Sequence, residues 1–147
     1  MGLNILGQKR KTLVKVRNHH IDSYGHVNNA QYFTYLEDAR TDFFEELGFS
    51  LEVLHQRKIQ VYLTDVTMRY KHPAKLNDVL EVYGWFIEIT NRKATWGHEI
   101  YETHSKKLIL TGTATGMFLE NGRLVVIPRD IREAMQSLLI PPAKNTS

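Results

Sequence analysis

Apolar positions along the chain repeat with two different periods, and the change of period divides it. Residues 12–16 (TLVKV) alternate between apolar and polar, as in a half-buried strand. From Asn29 the spacing lengthens. Tyr32, Leu36, Ala39, Phe43 and Leu47 then lie four, three, four and four residues apart, which places them on one helical face. Phe33, Arg40 and Phe44 flank this stripe, while Glu37, Asp38, Asp42, Glu45 and Glu46 fall mainly outside it. Gly48 stands where a left-handed C-cap belongs. The pattern predicts about five helical turns with a cap at each end.

After the helix the period returns to two. In IQVYLTDVTMRYK, Ile59, Val61 and Leu63 share a face, followed by Val66, Met68 and Tyr70. The phase slip around Thr64 and Asp65 predicts a bulge or bend. HPAKLND reads as a connector, with Pro73 as a breaker and Asn77-Asp78 as a turn signal. VLEVYGWFIEIT, KATWGHEIYETH and KLILTGTATGMFLE read as three more long strands, rich in aromatic and β-branched residues. TNRK, HSKK and ENGR make the tight connections, and Asn121-Gly122 is a type I′ hairpin signal. Pro128 and Asp130 open a short last helix, with Asp130 and Glu133 spaced as a capping pair. The end, PPAKNTS, reads as frayed. There is no internal repeat, linker or low-complexity stretch. The order predicts one α+β domain over residues 1–147, with a single antiparallel sheet packed on one long helix.

Composition narrows the class. A chain of 147 residues with 42% hydrophobic and 24% charged residues can bury a core without staples. No apolar run approaches the roughly 20 residues that span a bilayer. MGLNILGQKRKT has Leu6 where a myristoylation signal needs Ser or Thr, and it lacks the pattern of a secretory leader. Absence of cysteine excludes disulfides and thiolate chemistry. The expectation is a cytoplasmic protein without membrane partners. Net charge is +3, and the basic run Lys9–Lys11 reads as a solvated terminus; no nucleic-acid motif accompanies it. A mildly basic surface would equally suit a phosphorylated cofactor.

The stretch HIDSYGHVNNAQYF carries the candidate chemistry. In structural terms DSYG is a type I turn, with Asp22 first and Gly25 fourth. His19, His20 and His26 lack the spacing of a metal set, so no metal is expected. No G-x-S-x-G elbow supports serine catalysis. TGTATG lacks the GK[ST] of a phosphate loop, and its glycines read as a close approach of backbone to the helix. Asn28 is a good N-cap, with Gln31 placed as its capping-box partner. Asn29 is then the first helical residue, with an N–H that has no intrahelical partner and lies at the positive end of the dipole. Such an N–H can hold a developing oxyanion. A carboxylate nearby could attack a carbonyl or activate water against it, and Asp22 is the candidate if the turn brings the two together.

The run D-x-x-G-H-V-N-N-x-x-Y (Asp22, Gly25, His26, Val27, Asn28, Asn29, Tyr32) resembles the signature of hotdog-fold thioesterases. The subgroup is that of 4-hydroxybenzoyl-CoA thioesterase and its acyl-CoA and acyl-ACP relatives. VTMRYKHPAKLNDVLEV, residues 66–82, is similar to the family's connector between its second and third strands. The resemblance implies a hotdog fold, in which a curved antiparallel sheet wraps a long helix and two subunits join their sheets. It implies that Asp22 is the catalytic carboxylate, as nucleophile or general base, and that the Asn29 N–H is the oxyanion donor. Tyr32 is left between lining an acyl pocket and packing, and His26, at the substrate site, reads as a structural hydrogen-bonding residue rather than a catalytic one. Arg69 and Lys71, in the second-strand pattern, are candidates for cofactor phosphates. No cofactor is implied, since CoA or ACP enters as part of the substrate. GHVNN stands where the 4-hydroxybenzoyl enzyme has a more apolar run, which points to a general acyl thioesterase. A hotdog hydratase or dehydratase and a non-catalytic acyl-binding module are the alternatives. The expected assembly is a homodimer, or a tetramer built from two dimers.

Overall fold

The computed structural model describes residues 9–142. The stretch read for targeting signals therefore lies largely outside the described residues, as does the chain end from residue 143. The elements are β1 (Arg10–Lys15), α1 (Asn29–Glu46), α2 (Leu51–Gln56), β2 (Ile59–Tyr70), β3 (Val79–Ile89), β4 (Lys93–Glu102), β5 (Leu108–Glu120), β6 (Arg123–Val125) and α3 (Arg129–Gln136). One antiparallel sheet of six strands runs β1-β3-β4-β5-β2, with β6 added to β5. The α+β plan read from periodicity is the observed one.

Alternation gives the sheet an inner face on which α1 lies. Leu80, Val82, Ile100 and Leu110 pack with Tyr32, Leu36, Ala39 and Phe43 of α1. Further along, Phe86, Trp96 and Phe118 pack with Phe44 and with Ile131 and Met135 of α3. Asn28 caps the start of α1, its Oδ1 accepting the Ala30 N–H at 2.9 Å. At the other end Gly48, with φ of +96°, donates to the Glu45 carbonyl and Phe49 to that of Phe44, which is a Schellman closure. The register of β2 on β5 shifts between Leu63 and Asp65, at the expected phase slip. Asn121 and Gly122 both take positive φ, as a type I′ turn requires.

Several expectations change. Residues 50–56 hold a helix that periodicity missed: Ser50 Oγ accepts the Val53 N–H at 3.2 Å and starts α2. The capping pair at α3 is absent. Pro128 is the N-cap and makes no side-chain bond, while the Asp130 carboxylate takes two guanidinium bonds from Arg57, at 2.7 and 3.1 Å. Glu133 accepts from Arg129 instead. The basic run is not simply solvated: Lys9 pairs with Glu99 at 2.9 Å and lies over the Trp85 ring, and Arg10 pairs with Glu46. The glycines of TGTATG face β2 more closely than α1, since a Cβ on Gly112 would meet the Thr67 carbonyl oxygen at 2.7 Å. The close approach to the helix is made by Gly84, where a Cβ would overlap the Phe43 ring.

One polar pair sits inside this core. Arg40 on α1 and His98 on β4 are both buried, and Arg40 Nη1 donates to His98 Nε2 at 3.2 Å. His98 Nδ1 in turn donates to the Tyr83 carbonyl at 3.2 Å. Burial, reinforced by the Arg40 charge, lowers the His98 pKa from 6.5 to about 3, against the smaller opposing pull of the Tyr83 carbonyl. The unfolded chain therefore binds a proton below about pH 6.5 that the folded protein refuses until about pH 3. Stability from this site is complete above the first value and lost as pH falls toward the second. Urea unfolding should show a loss of about 2 kcal/mol between pH 7 and pH 5 from this residue. His98→Gln, which can keep both hydrogen bonds, should remove that part of the pH dependence. Identical pH profiles for the two proteins would contradict the assignment.

Candidate active site

Residues 20–28 fold back on themselves in a miniature antiparallel ladder. The Asn28 N–H donates to the His20 carbonyl at 2.9 Å, Ile21 bridges Val27, and the Asp22 N–H donates to the His26 carbonyl at 2.9 Å. The turn closes with the Gly25 N–H on the Asp22 carbonyl at 3.1 Å, and Gly25 takes φ of +79°, where a side chain would be strained. Asp22 supplies turn chemistry as well: its Oδ1 accepts the Tyr24 N–H at 2.9 Å and the His26 N–H at 3.4 Å. Its Oδ2 has no partner among the described residues. Both turn bonds thus fall on one oxygen of a half-buried residue.

The ladder leads into α1, with Asp22 at its turn end opposite His26. Asn29 is the first helical residue, and its N–H has no hydrogen-bond partner among the described residues. Its carbonyl accepts the Tyr70 hydroxyl at 3.1 Å, which ties the helix start to the end of β2. The reciprocal capping box with Gln31 does not form. The Asn28 N–H that Gln31 would have served is already committed to His20 in the ladder.

Two tyrosines anchor this loop from below. The Tyr32 hydroxyl accepts the Ala74 N–H at 3.0 Å, and the Ala74 carbonyl accepts the Val27 N–H at 2.9 Å. The Tyr35 hydroxyl lies 2.8 Å from His20 Nδ1. Burial raises the pKa of both phenols and lowers that of His20, so all three stay neutral near pH 7. Tyr32 is 2% exposed and packs in the core cluster beneath the loop. His26 contributes through its main chain, which bonds Asp22 on both sides; its ring makes no hydrogen bond to the described residues. Arg69 and Lys71 are exposed on either side of Tyr70, and neither forms an ion pair among the described residues. No group of three or more His, Cys, Asp or Glu among the described residues is placed to hold a metal. No described helix is long and apolar enough to cross a membrane.

The sequence reading did not anticipate a cavity of about 350 Å³ between α1, α2 and β2. Phe44, Leu54, Ile59 and Trp96 make it apolar, and Arg40 and Glu37 line it as well. The available signal was Arg40 itself, a cation spaced by four from Leu36 and from Phe44 on the apolar side of α1.

The segment before α1 carries a carboxylate oxygen and a helix-start N–H that are both without partners among the described residues. The long-chain acyl-CoA thioesterase FadM of Escherichia coli K12 is 24% identical over 131 residues, covering 88% of this chain and 98% of that one. The chloroplastic acyl-acyl carrier protein thioesterase ATL3 of Arabidopsis thaliana is 27% identical over 120 residues, covering 81% and 63%. The fold matches Slr0204, a 1,4-dihydroxy-2-naphthoyl-CoA thioesterase from Synechocystis, with a TM-score of 0.80 at 15% identity over 87% and 96% of the two chains. The profile of the thioesterase-like superfamily matches residues 16–135. The protein belongs to the thioesterase-like superfamily, as a thioester hydrolase with a hotdog fold.

Proposed function

We propose that the protein hydrolyses acyl thioesters of coenzyme A or acyl carrier protein at the start of α1, in the cytoplasm and without a cofactor. The observation that carries this reading is the thioesterase-like profile over residues 16–135, and it is supported by an Asp22 Oδ2 and an Asn29 N–H that both lack partners among the described residues. Asp22 attacks the acyl carbon or takes a proton from the water that does. The carbonyl oxygen becomes an oxyanion and accepts the Asn29 N–H, at the positive end of the helix dipole. When the carbonyl re-forms, the C–S bond breaks and sulfur leaves as a thiolate, which takes up a proton. On the nucleophile route, water then cleaves the acyl-Asp22 anhydride. Both routes end in free acid and free thiol. The names of FadM and ATL3 cover both carriers, which supports leaving CoA and ACP together as the substrate class.

Asp22→Asn tests the assignment. Asparagine keeps an Oδ1 acceptor for Tyr24 and His26, so the melting temperature should hold. Turnover of a saturating acyl-CoA should fall by about two to four orders of magnitude, the range for loss of a general base. Full activity in the folded variant would remove Asp22 from the mechanism. A hydratase would alter the acyl chain without freeing thiol, and a binding module would do neither.

Arg69 and Lys71, exposed and without an ion pair among the described residues, are in this reading the cations that meet the phosphates of CoA. Reversing both charges should raise KM for acyl-CoA severalfold at low salt, with the effect shrinking as ionic strength rises. A KM unchanged at every salt concentration would end this role.

A second copy of the chain completes the enzyme in this reading. β2 is an edge strand, and Val66 and Tyr70 on its inner face remain 36% and 47% exposed. Pairing of two β2 edges would satisfy the open backbone groups and cover those side chains. Sedimentation should find a dimer, or two dimers together, at micromolar concentration. A stable monomer with full activity would contradict it.

A further inference from the structure

Arg40 is only 6% exposed, and among the described residues no carboxylate pairs with it. Among the described residues its hydrogen-bond partner is His98, which is neutral, and the Phe33 ring lies 5.9 Å from its guanidinium carbon. A cation removed from water without a counter-charge is destabilising, and proteins keep one where it meets an anion. Arg40 also lines the apolar cavity between α1, α2 and β2. Trp96 lines it too, and its indole N–H is buried without a partner among the described residues. At about 350 Å³ the cavity is large enough for a small-molecule ligand.

Arg40 and the proposed reaction site share one helix. Arg40 follows Asn29 by eleven residues, three turns of α1, which is about 16 Å along the axis and on nearly the same side. Phe33, one turn after Asn29, lies between them on that side and touches Arg40 through its ring. A chain extending from a thioester carbonyl at Asn29 along this side reaches Arg40 at its far end. A methyl terminus there would leave the guanidinium uncompensated. A carboxylate would pair with it in the forked geometry that arginine favours. Glu37 lines the same cavity, but it is exposed and its charge is screened by solvent.

We propose that this cavity receives the distal end of the acyl chain and that Arg40 selects chains ending in a carboxylate. The substrate class is then the monothioester of a long dicarboxylic acid. This rests on the thioesterase reading above and assigns specificity within it.

The test compares dodecanoyl-CoA with ω-carboxyundecanoyl-CoA, which match in chain length and differ only at the far end. The native protein should favour the carboxylated ester in kcat/KM by about tenfold or more, the scale of one charge-assisted pair. Arg40→Met should abolish that ratio and Arg40→Lys should retain part of it. A purely structural arginine would instead lower both substrates alike and leave the ratio intact. A native preference for the methyl-ended ester, or a ratio unchanged in Arg40→Met, overturns the proposal while leaving the thioesterase reading untouched. If neither ester is cleaved, that reading fails by itself, and binding decides the cavity. In a Trp85→Phe background, Trp96 fluorescence should report tighter binding of dodecanedioate than of dodecanoate, with the difference lost on adding Arg40→Met. Equal binding of the two acids overturns the proposal.

Discussion

The position at which α1 begins is the constraint on which the site depends. A helix start is mobile unless its free N–H groups and the chain before it are tied down. Here the tie comes from the helix itself. Tyr32 and Tyr35, in its first two turns, send their hydroxyls back to Ala74 and His20, which hold the two flanks of the preceding loop. Val27 and Asn28 then close the loop onto those same residues through main-chain bonds. Each bond is worth about 1 kcal/mol net, but leaving a buried partner unsatisfied costs more, so the set behaves as one piece. Asn29 N–H stays unspent because everything around it is already paired. A donor fixed in advance needs no reorganisation when charge develops on a substrate.

The same helix joins two environments that would otherwise be unrelated. Its start meets Tyr70 at the end of β2, and three turns on it passes Arg40 into a cavity that α2 and the start of β2 close. The sheet makes room for this by thinning. Gly84 gives its Cβ space to Phe43, which lets α1 sit close to β3 there, while Ala94 and Ala114 are small inner-face positions beside Trp96. His98 opposite Gly84 reaches up to Arg40 and fixes the guanidinium without neutralising it. A fully apolar core at this point would be the more stable choice. That the pair is retained is what gives the cavity a chemical character beyond greasiness.

What could be read in the sequence was local in origin. The stripe from Tyr32 to Leu47, the cap at Asn28, the positive φ at Gly48 and the Asn121-Gly122 turn each depend on a few neighbouring residues. So did the bulge, because the alternation of β2 visibly changes phase at Thr64. Asp22 and Asn29 were candidates from turn and cap chemistry together with family resemblance, and the ladder that holds Asp22 against His26 is what spacing could not supply. The misses were all long-range. Asp130 had the spacing of a capping pair, but Arg57, distant in sequence, claims its carboxylate. Gln31 lost its capping role to His20, and the glycine that meets the helix lies in β3 and not in TGTATG. Arg40 read as a flank of the stripe because nothing nearby announces His98 on another strand. α2 was too short for a period to show.

The account stands or falls on whether one carbonyl group can be held by Asp22 and Asn29 together. A crystal structure with a hydrolysis-resistant acyl-CoA analogue, in which a methylene separates the carbonyl from sulfur, tests this directly. The account predicts the carbonyl oxygen at hydrogen-bond distance, about 3 Å, from the Asn29 nitrogen, with Asp22 Oδ2 facing the carbonyl carbon or a water beside it. A carbonyl bound elsewhere, with Asn29 N–H and Asp22 Oδ2 both turned to solvent, would contradict it.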